Sequence, residues 1–216
     1  MVRLRFAPSP TGYLHVGGLR TALFSFLYAQ QQGGRFLFRL EDTDQQRLVE
    51  GSEQDLLQML QWAGVNCDEG PNIGGEYGPY RQSERLILYQ DHLQILMDSG
   101  HAYPCFCTQE RLDNLKQQQK AQGLNPKYDG HCRALKATEV QQHQADGEAY
   151  VIRMRIPDDG EKILIDDLIR GHVSIDSSQL DDQVLLKSDG FPTYHLACVV
   201  DDHLMKITHV VRGEEW

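Results

Sequence analysis

Apolar residues recur along the first forty positions with the periods of a strand, a helix and a second strand. They alternate with arginines over residues 2–6, which predicts a strand, and residues 35–40 predict the next one. Between them, residues 17–32 have helical spacing, and Gly33 favours the end of that helix. This order predicts a parallel strand–helix–strand unit with a ligand site at the carboxyl ends of its strands. The expected buried stripe of the helix is Leu19, Leu23, Phe26 and Leu27.

Two further helices are each preceded by a residue type that caps helices. Ser52-Glu53-Gln54-Asp55 has the pattern of a capping box, and Gly64 favours the end of the helix that it opens. Ser83 is expected to cap the next helix, which ends at Gly100. The expected inward residues are Leu56, Leu60 and Ala63 in the first helix, and Leu86, Leu93 and Leu96 in the second.

The character of the sequence changes near residue 104, where cysteines and a polar helical stretch begin. Residues 150–156 alternate as a strand, and shorter strands are expected near residues 163–165 and 173–175. We therefore predict an α+β insertion within a sheet domain. The predicted boundaries are residues 1–103 for the first half of the sheet domain, 104–183 for the insertion, and 184–216 for the start of the second half.

Composition narrows the class of protein. The 216 residues are 40% hydrophobic and 24% charged, with no apolar run near the roughly 20 residues that span a bilayer. The net charge of −10 argues against unspecific nucleic-acid binding through bulk charge, while a local basic groove stays compatible with it. The first residues already form a strand pattern, so we expect a cytoplasmic protein, or an organellar one that has lost its presequence. Five cysteines in that setting do not predict a disulfide framework.

The loop after the first strand has the residues of a nucleotide-binding loop. It runs from Ala7 through prolines and Gly12 to His15, Gly17 and Gly18 at the start of the helix. Glycines let phosphate approach the backbone, a helix N-terminus supplies N–H donors and positive potential, and a histidine adds a ring donor. A nucleoside triphosphate is therefore the expected ligand.

Charged residues at strand ends predict a second ligand. Glu41, Asp42 and Asp44 follow the second strand, and carboxylates there can bind an ammonium group or help to place Mg²⁺. Arg5 and Arg212 lie at the ends of two predicted strands and can converge on one pocket. Because arginine binds carboxylates through two parallel hydrogen bonds, these two residues suit a ligand with carboxylate groups.

The string from Arg5 to Gly18 resembles the ATP-binding HIGH signature of class I aminoacyl-tRNA synthetases, in the form of the glutamyl branch. Residues 187–197 are similar to a second string of glutamyl-tRNA synthetases. The resemblance covers the whole chain. It implies an α/β fold, with a Rossmann-like nucleotide-binding domain whose parallel sheet is interrupted by an α+β connective insertion that binds the tRNA acceptor stem. The second signature of the class, a lysine-rich KMSKS loop, lies downstream of the position that matches Trp216, so we expect a C-terminally truncated catalytic part.

The same resemblance implies roles for individual residues. The residues implied to be catalytic are His15, Gly17 and Gly18. Those implied to bind glutamate are Arg5, Ala7, Ser9, Glu41, Tyr194 and Arg212, with Asp44 bracing the site. Those implied to bind ATP are Thr11, His15, Gly17, Gly18 and Glu215. The family often has asparagine at the position of Cys198, and we assign this cysteine no binding role. Asp201, Asp202 and His203 are interpreted as a hydrogen-bonded turn and ribose-side scaffold.

Three cysteines and a tyrosine resemble the zinc site of some glutamyl-tRNA synthetases. Cys105, Cys107 and Cys132 supply three thiolates, and Tyr128 has the spacing of the fourth ligand in the related glutamyl-queuosine synthetases. His131 is an alternative fourth ligand. Together they predict a possible closed, structural zinc site, against the alternative of buried cysteines without metal.

The function implied is ATP-dependent activation of L-glutamate to glutamyl-adenylate, followed by transfer to tRNA(Glu). The cofactors are ATP as a substrate and Mg²⁺, besides the zinc, and we expect a monomer without membrane association. Aminoacylation by this chain alone is expected to be slow or absent. The alternatives are a glutamyl-queuosine tRNA(Asp) synthetase and a non-catalytic module that binds ATP, glutamate or a protein. An oxidoreductase is disfavoured because no G-x-G-x-x-G follows the first strand.

Overall fold

A computed structural model describes residues 1–157 and 160–213. The chain divides into two compact units, one formed by Met1–Gln90 with the chain from Leu196 onward, the other by Asp91–His195. The limits of these compact units differ from the boundaries at 103 and 183 that the sequence predicts. The units are defined by compactness, whereas the predicted boundaries separate a sheet domain from its insertion, and that separation stays a prediction.

The elements follow the order expected for an α/β protein. The strands are β1 (Arg3–Phe6), β2 (Arg35–Phe38), β3 (Ala102–Cys105), β4 (Val151–Met154), β5 (Lys162–Asp167), β6 (Gly171–Asp176) and β7 (Val184–Leu186). The α-helices are α1 (Val16–Gln31), α2 (Ser52–Trp62), α3 (Leu86–Asp98), α4 (Gln109–Ala121), α5 (Ala137–Ala145) and α6 (Tyr194–Leu204). Short 3₁₀ helices cover Gln82–Arg85, His131–Ala134 and Ser177–Gln179.

The predicted parallel strand–helix–strand unit is confirmed in the first unit. β1 and β2 pair in parallel, with Arg3 opposite Arg35 and Phe6 opposite Phe38, and α1 connects them. The chain after α6 runs beside β1, where the Thr208 N–H donates to the Arg3 carbonyl at 2.9 Å. The core beneath consists of Leu4, Phe6, Ala22, Ala29, Phe36, Phe38, Leu40, Leu56, Leu60 and Val65.

Small residues make the buried stripe of α1. Ala22, Ser25 and Ala29 are fully buried, whereas Leu23 and Leu27 are 39% and 52% exposed. The predicted stripe was therefore wrong for these two leucines. Residues 22, 25 and 29 also follow the helical period, and their short side chains let the helix axis lie close to the strands.

Both ends of α1 agree with their sequence signals. α1 begins at Val16, one residue earlier than predicted, and His15 is its N-cap. At the other end Gly33 adopts φ +58°, a conformation that favours glycine. A Cβ on Gly34 would lie 2.3 Å from the Val2 carbonyl oxygen, so only glycine lets the chain turn into β2 there.

The capping box predicted at Ser52 is wrong. Gly51, in the left-handed region, is the N-cap of α2, and no side chain caps that helix. Ser52 Oγ instead donates to the Pro10 carbonyl at 2.9 Å. The tertiary contact outcompetes the local one and fixes the loop between β1 and α1 against α2. The predicted stripe of α2 is confirmed by the buried Leu56 and Leu60.

Antiparallel pairing dominates the second unit. β4 lies between β3 and β7 in one sheet, and β5 pairs with β6 in a separate hairpin. Residues 184–186, which we interpreted as the return of the nucleotide-binding sheet, thus pair with β4 instead.

Within residues 1–157 and 160–213, none of the helices combines the length and the apolar character that a membrane crossing requires.

One buried carboxylate holds three segments of the first unit together. Asp201 on α6 is fully buried and accepts hydrogen bonds from Arg85 Nε at 2.7 Å, Tyr89 Oη at 2.8 Å and Gln82 Nε2 at 2.9 Å. Arg85, itself buried, also donates to the carbonyls of Tyr77 and Pro79. A buried ion pair of this kind is needed because either charge alone would be costly to desolvate.

We expect Asp201→Asn to lower the free energy of unfolding by about 3 kcal/mol, since it leaves the Arg85 charge buried without its counter-ion. Urea denaturation measures this change. The control is Glu84→Gln, which breaks the exposed Arg81–Glu84 pair and is expected to cost less than about 0.5 kcal/mol. Equal losses in the two variants would contradict the assignment.

Candidate active site and cysteine cluster

The imidazole of His15 closes the N-terminus of α1. Its Nδ1 accepts hydrogen bonds from the backbone N–H groups of Gly17 at 3.1 Å and Gly18 at 3.4 Å. The two amides that the sequence offered to phosphate are therefore engaged by the ring. Because Nδ1 is an acceptor, the neutral ring carries its proton on Nε2, which makes Nε2–H the donor available to a ligand.

The two glycines are required by their neighbours. A Cβ on Gly17 would lie 2.9 Å from His15 Cε1, and one on Gly18 would lie 3.0 Å from Leu14 Cδ1. The glycines thus let the ring and the leucine lie directly on the first turn of the helix. Gly17 thus makes room for the His15 ring, and Gly18 makes room for the Leu14 side chain.

The rest of the loop is anchored by its neighbours. The Pro8 carbonyl accepts from the Glu41 N–H at 3.0 Å, and Leu14 N–H donates to Asp55 Oδ2 at 3.0 Å. Ser9 and Thr11 are exposed, and Ala7 is partly buried at the end of β1. The backbone of this loop is held in place while its side chains remain accessible.

The arginine face of β1 meets α6. Arg5 donates to Asp202 through Nε at 3.1 Å and Nη2 at 3.0 Å, so that one carboxylate holds one edge of the guanidinium. Within the described chain, Arg5 Nη1 has no hydrogen-bond partner. The two-pronged contact orients Arg5 and leaves Nη1 for a ligand.

Sequence reasoning missed Arg39, which lies at the centre of this group. Arg39 is fully buried directly after β2 and donates to Asp202 Oδ1 at 2.6 Å and to Glu41 Oε1 at 3.0 Å. Its Nε lies 3.7 Å from Asp201 Oδ2. The signal that could have found it is the alternation of β2, which continues to position 39 and points it away from the core side of Phe36 and Phe38.

Burial and charge act in opposite directions on the two carboxylates that contact Arg39. Burial raises the pKa of Glu41, and Arg39 and Arg5 offset this only in part. Burial also acts to raise the pKa of Asp202, but Arg39 and Arg5 outweigh it and hold that pKa below its ordinary value. Asp202 contacts both guanidinium groups and Glu41 only one, which accounts for the difference.

Cys198 fills the space between the two guanidinium groups. Its Sγ lies 3.6 Å from Arg5 Nη2 and 3.7 Å from both Arg39 Nη2 and Asp202 Oδ2. Burial, followed by the charges of Glu41 and Asp202, raises the pKa of this thiol. The thiol therefore stays neutral and adds no charge to the group.

The acidic segment after β2 divides into different roles. Glu41 belongs to the arginine group, whereas Asp42 accepts from the N–H of Ser83 at 2.8 Å and from its hydroxyl at 2.5 Å. Ser83 is thus held by Asp42 and is not itself the helix cap that we predicted. Asp44 pairs with Arg47 at 2.5 Å. In the described residues these carboxylates do not gather into a group that could hold a metal ion.

The remaining predicted residues lie elsewhere. The turn interpretation of Asp201, Asp202 and His203 is wrong, because all three lie on α6. Tyr194 is the first residue of that helix and belongs to the second unit. Arg212 is exposed, and its convergence with Arg5 on one pocket stays a prediction. Glu215 lies outside the described residues.

The cysteine cluster of the second unit brings the predicted metal ligands together. The Sγ atoms of Cys105, Cys107 and Cys132 all lie within 4.8 Å of one another. The Tyr128 hydroxyl lies 3.3 Å from Cys105 Sγ and 3.5 Å from Cys107 Sγ. Within the described chain, His131 is not part of this group. Of the two fourth ligands left open by the sequence, Tyr128 is the one beside the thiols.

Positive charge surrounds this cluster. The Cζ of Arg153 lies 4.0 Å from the centroid of the Tyr128 ring, and Arg111 Nη1 lies 3.5 Å from Cys107 Sγ. A hydrogen bond from Cys132 lowers the pKa of Cys105 to about 4 against the effect of burial, with further help from Tyr128 and Arg153. The surroundings of Cys105 therefore favour its thiolate, the form of cysteine that binds metal.

Comparison with known proteins agrees with this geometry. Residues 1–216 match the family described as tRNA synthetases class I (E and Q), catalytic domain. The chain is 54% identical to a glutamate–tRNA ligase of Clostridioides difficile and 58% identical to one of Chloroherpeton thalassium. It is also similar to the crystal structure of a glutamate tRNA ligase from Elizabethkingia meningosepticum in complex with its amino acid, with a TM-score of 0.94 at 46% identity.

These matches cover all of the chain but less than half of each relative. The shares are 45% of the Clostridioides difficile protein, and 44% of both the Chloroherpeton thalassium protein and the solved structure. Since the family match extends over every residue of the sequence, this chain belongs to the class I tRNA synthetases of the E and Q type, within their catalytic domain.

Proposed function

We propose that this chain supplies the ATP- and amino-acid-binding part of a glutamate–tRNA ligase. The observation that carries the proposal is the group at the end of β1 and β2, where oriented Arg5 donors lie beside the buried carboxylate of Glu41. Such a site has a cation for a carboxylate and an anion for an ammonium group. The similarity to glutamate–tRNA ligases identifies L-glutamate as the proposed ligand.

In the proposed reaction, an α-carboxylate oxygen of glutamate attacks the α-phosphorus of ATP, and pyrophosphate leaves. The nucleophile is ionised at neutral pH, so the step needs no general base. The chain contributes alignment and charge stabilisation. His15 would donate its Nε2–H to phosphate, Arg5 and Glu41 would hold the amino acid, and Mg²⁺ would enter with ATP.

Transfer of the glutamyl group to tRNA(Glu) is proposed for the whole protein, in the cytoplasm and by a monomer. The glutamyl-queuosine alternative gains no support from the most similar relatives, which are named glutamate–tRNA ligases. The alternative of a non-catalytic module can be told apart by an exchange assay. Such a module would bind ATP or glutamate, but it would not catalyse glutamate-dependent exchange of pyrophosphate into ATP.

We also propose that Cys105, Cys107, Tyr128 and Cys132 hold a structural zinc ion. A tetrahedral site with Zn–S bonds of about 2.3 Å separates its sulfurs by about 3.8 Å. Cys107 Sγ and Cys132 Sγ lie 3.5 Å apart, which fits such a site with little movement. Cys105 ends β3, Cys107 lies in the loop after β3, Tyr128 precedes the 3₁₀ helix at His131–Ala134, and Cys132 lies on that helix. A metal there would tie these segments together.

The first prediction concerns the amino acid. We expect the chain to bind L-glutamate in calorimetric titration, and Arg5→Gln or Glu41→Gln to weaken binding about tenfold or more. Binding should also weaken as the pH falls, because protonated Glu41 cannot pair with an ammonium group. Since burial raises the pKa of Glu41, this loss should begin above the ordinary pKa of a glutamate. A chain that binds no L-glutamate or glutamyl-adenylate analogue at neutral pH would overturn the proposal.

The second prediction concerns ATP. Gly17→Ala places a Cβ 2.9 Å from His15 Cε1 and must displace the ring, so we expect ATP affinity to fall about tenfold. Gln30→Ala, on the exposed surface of the same helix, is the control and should leave the affinity unchanged. If Gly17→Ala binds ATP as tightly as the control, His15 does not contribute through this position.

The third prediction concerns zinc. Metal analysis of purified chain should find about one zinc ion, and Cys107→Ser and Tyr128→Phe should lower that content. Cys67, which belongs to the first unit and whose pKa burial raises to about 12, offers the matched control Cys67→Ser. A fully folded chain free of zinc would exclude the metal.

A further inference from the structure

The arginine group connects two ends of the proposed amino-acid site through one residue. Glu41 would take the ammonium group, and Arg5, oriented by Asp202, would take a carboxylate. Arg39 donates hydrogen bonds to the side chains of both Glu41 and Asp202, to Glu41 Oε1 at 3.0 Å and to Asp202 Oδ1 at 2.6 Å. Because Arg39 is fully buried, it acts on a ligand only through these two side chains.

We propose that Arg39 is a positioning residue that determines specificity, since it fixes the spacing between the ammonium-binding Glu41 and the carboxylate-binding Arg5. This inference rests on the proposed function and adds to it the basis for choosing glutamate over the shorter aspartate. The planar guanidinium donates through Nη2 to one carboxylate and through Nη1 to the other, a bridge that the single ammonium of lysine cannot reproduce.

The surroundings of Arg39 keep this bridge rigid. Asp201 faces its Nε at 3.7 Å and is itself held by Arg85, while Cys198 lies against Nη2 at 3.7 Å and Met205 Sδ lies 3.9 Å from Nη1. The guanidinium of Arg39 is therefore packed among its neighbours, and Glu41 and Asp202 each keep a hydrogen bond to it.

Spacing matters because aspartate is shorter than glutamate by one methylene. One methylene changes the affinity of a ligand for an apolar pocket by roughly 10- to 200-fold. We expect an effect of the same order from two charged groups held at a fixed spacing. If Arg39 sets that spacing, a change that loosens the spacing should weaken the binding of glutamate more than the binding of aspartate. A residue needed only for folding would weaken both ligands, and ATP as well, to a similar degree.

The test compares dissociation constants of L-glutamate, L-aspartate and ATP by calorimetry for the unaltered chain and for Arg39→Lys. We expect Arg39→Lys to raise the constant for glutamate about tenfold or more and to lower the preference over aspartate about fivefold, with ATP unchanged. Arg35→Gln, at the opposite end of β2, breaks a half-exposed pair with Asp68 and should leave all three constants unchanged.

Arg39→Gln is the second variant, because its shorter side chain cannot bridge Glu41 and Asp202, while the contact between Arg5 and Asp202 stays in place. It should also lower the preference for glutamate, and it decides the matter if Arg39→Lys does not fold. Folded variants that keep the preference of the unaltered chain would overturn the role of Arg39. Failure of the unaltered chain to bind glutamate would instead overturn the proposed function.

Discussion

The first unit depends on the pairing of buried arginines with two consecutive aspartates. Asp201 and Asp202 come from α6, and their partners come from β1, the end of β2 and the 3₁₀ helix before α3. A buried guanidinium without a counter-ion is strongly destabilising, so the positions of these segments are stable only with α6 in place. Residues more than 100 positions apart in sequence are thereby forced into one structure, which a short apolar core alone would not specify.

The same constraint builds the ligand site. β1 has an apolar face for the core and an arginine face for α6, so its alternation of apolar residues and arginines buries both faces. The carboxyl ends of β1 and β2 then bring Arg5 and Glu41 side by side. The loop between β1 and α1 begins at that edge, where its histidine caps the helix. The residues proposed to bind the amino acid and the nucleotide thus share one edge, because parallel strands end together.

Local signals in the sequence were reliable where a local interaction decides the structure. The strand–helix–strand unit and the stop at Gly33 follow from spacing, and the cysteine–tyrosine group follows from its resemblance to a family zinc site. The capping box predicted at Ser52 was wrong because the Ser52 hydroxyl donates a hydrogen bond to the Pro10 carbonyl instead. Residues 184–186 were correctly predicted as a strand, but the pattern of apolar residues does not determine which strand they pair with. In the structure that partner is β4. Arg39 was missed because a charged residue beside Glu41 is typical of a solvated strand end, and only burial shows otherwise.

The charges of the group explain how it can prefer one ligand without an excess of positive charge. Arg5, Arg39 and Arg85 are balanced by Glu41, Asp201 and Asp202, and Cys198 remains neutral between them. A balanced group attracts a carboxylate weakly through net charge, so its preference must come from oriented donors such as Arg5 Nη1. Oriented donors select by position, because a donor left without its acceptor in a buried site is costly. For that reason the residues that fix the orientation of Arg5 and Glu41 matter as much as those that touch the ligand.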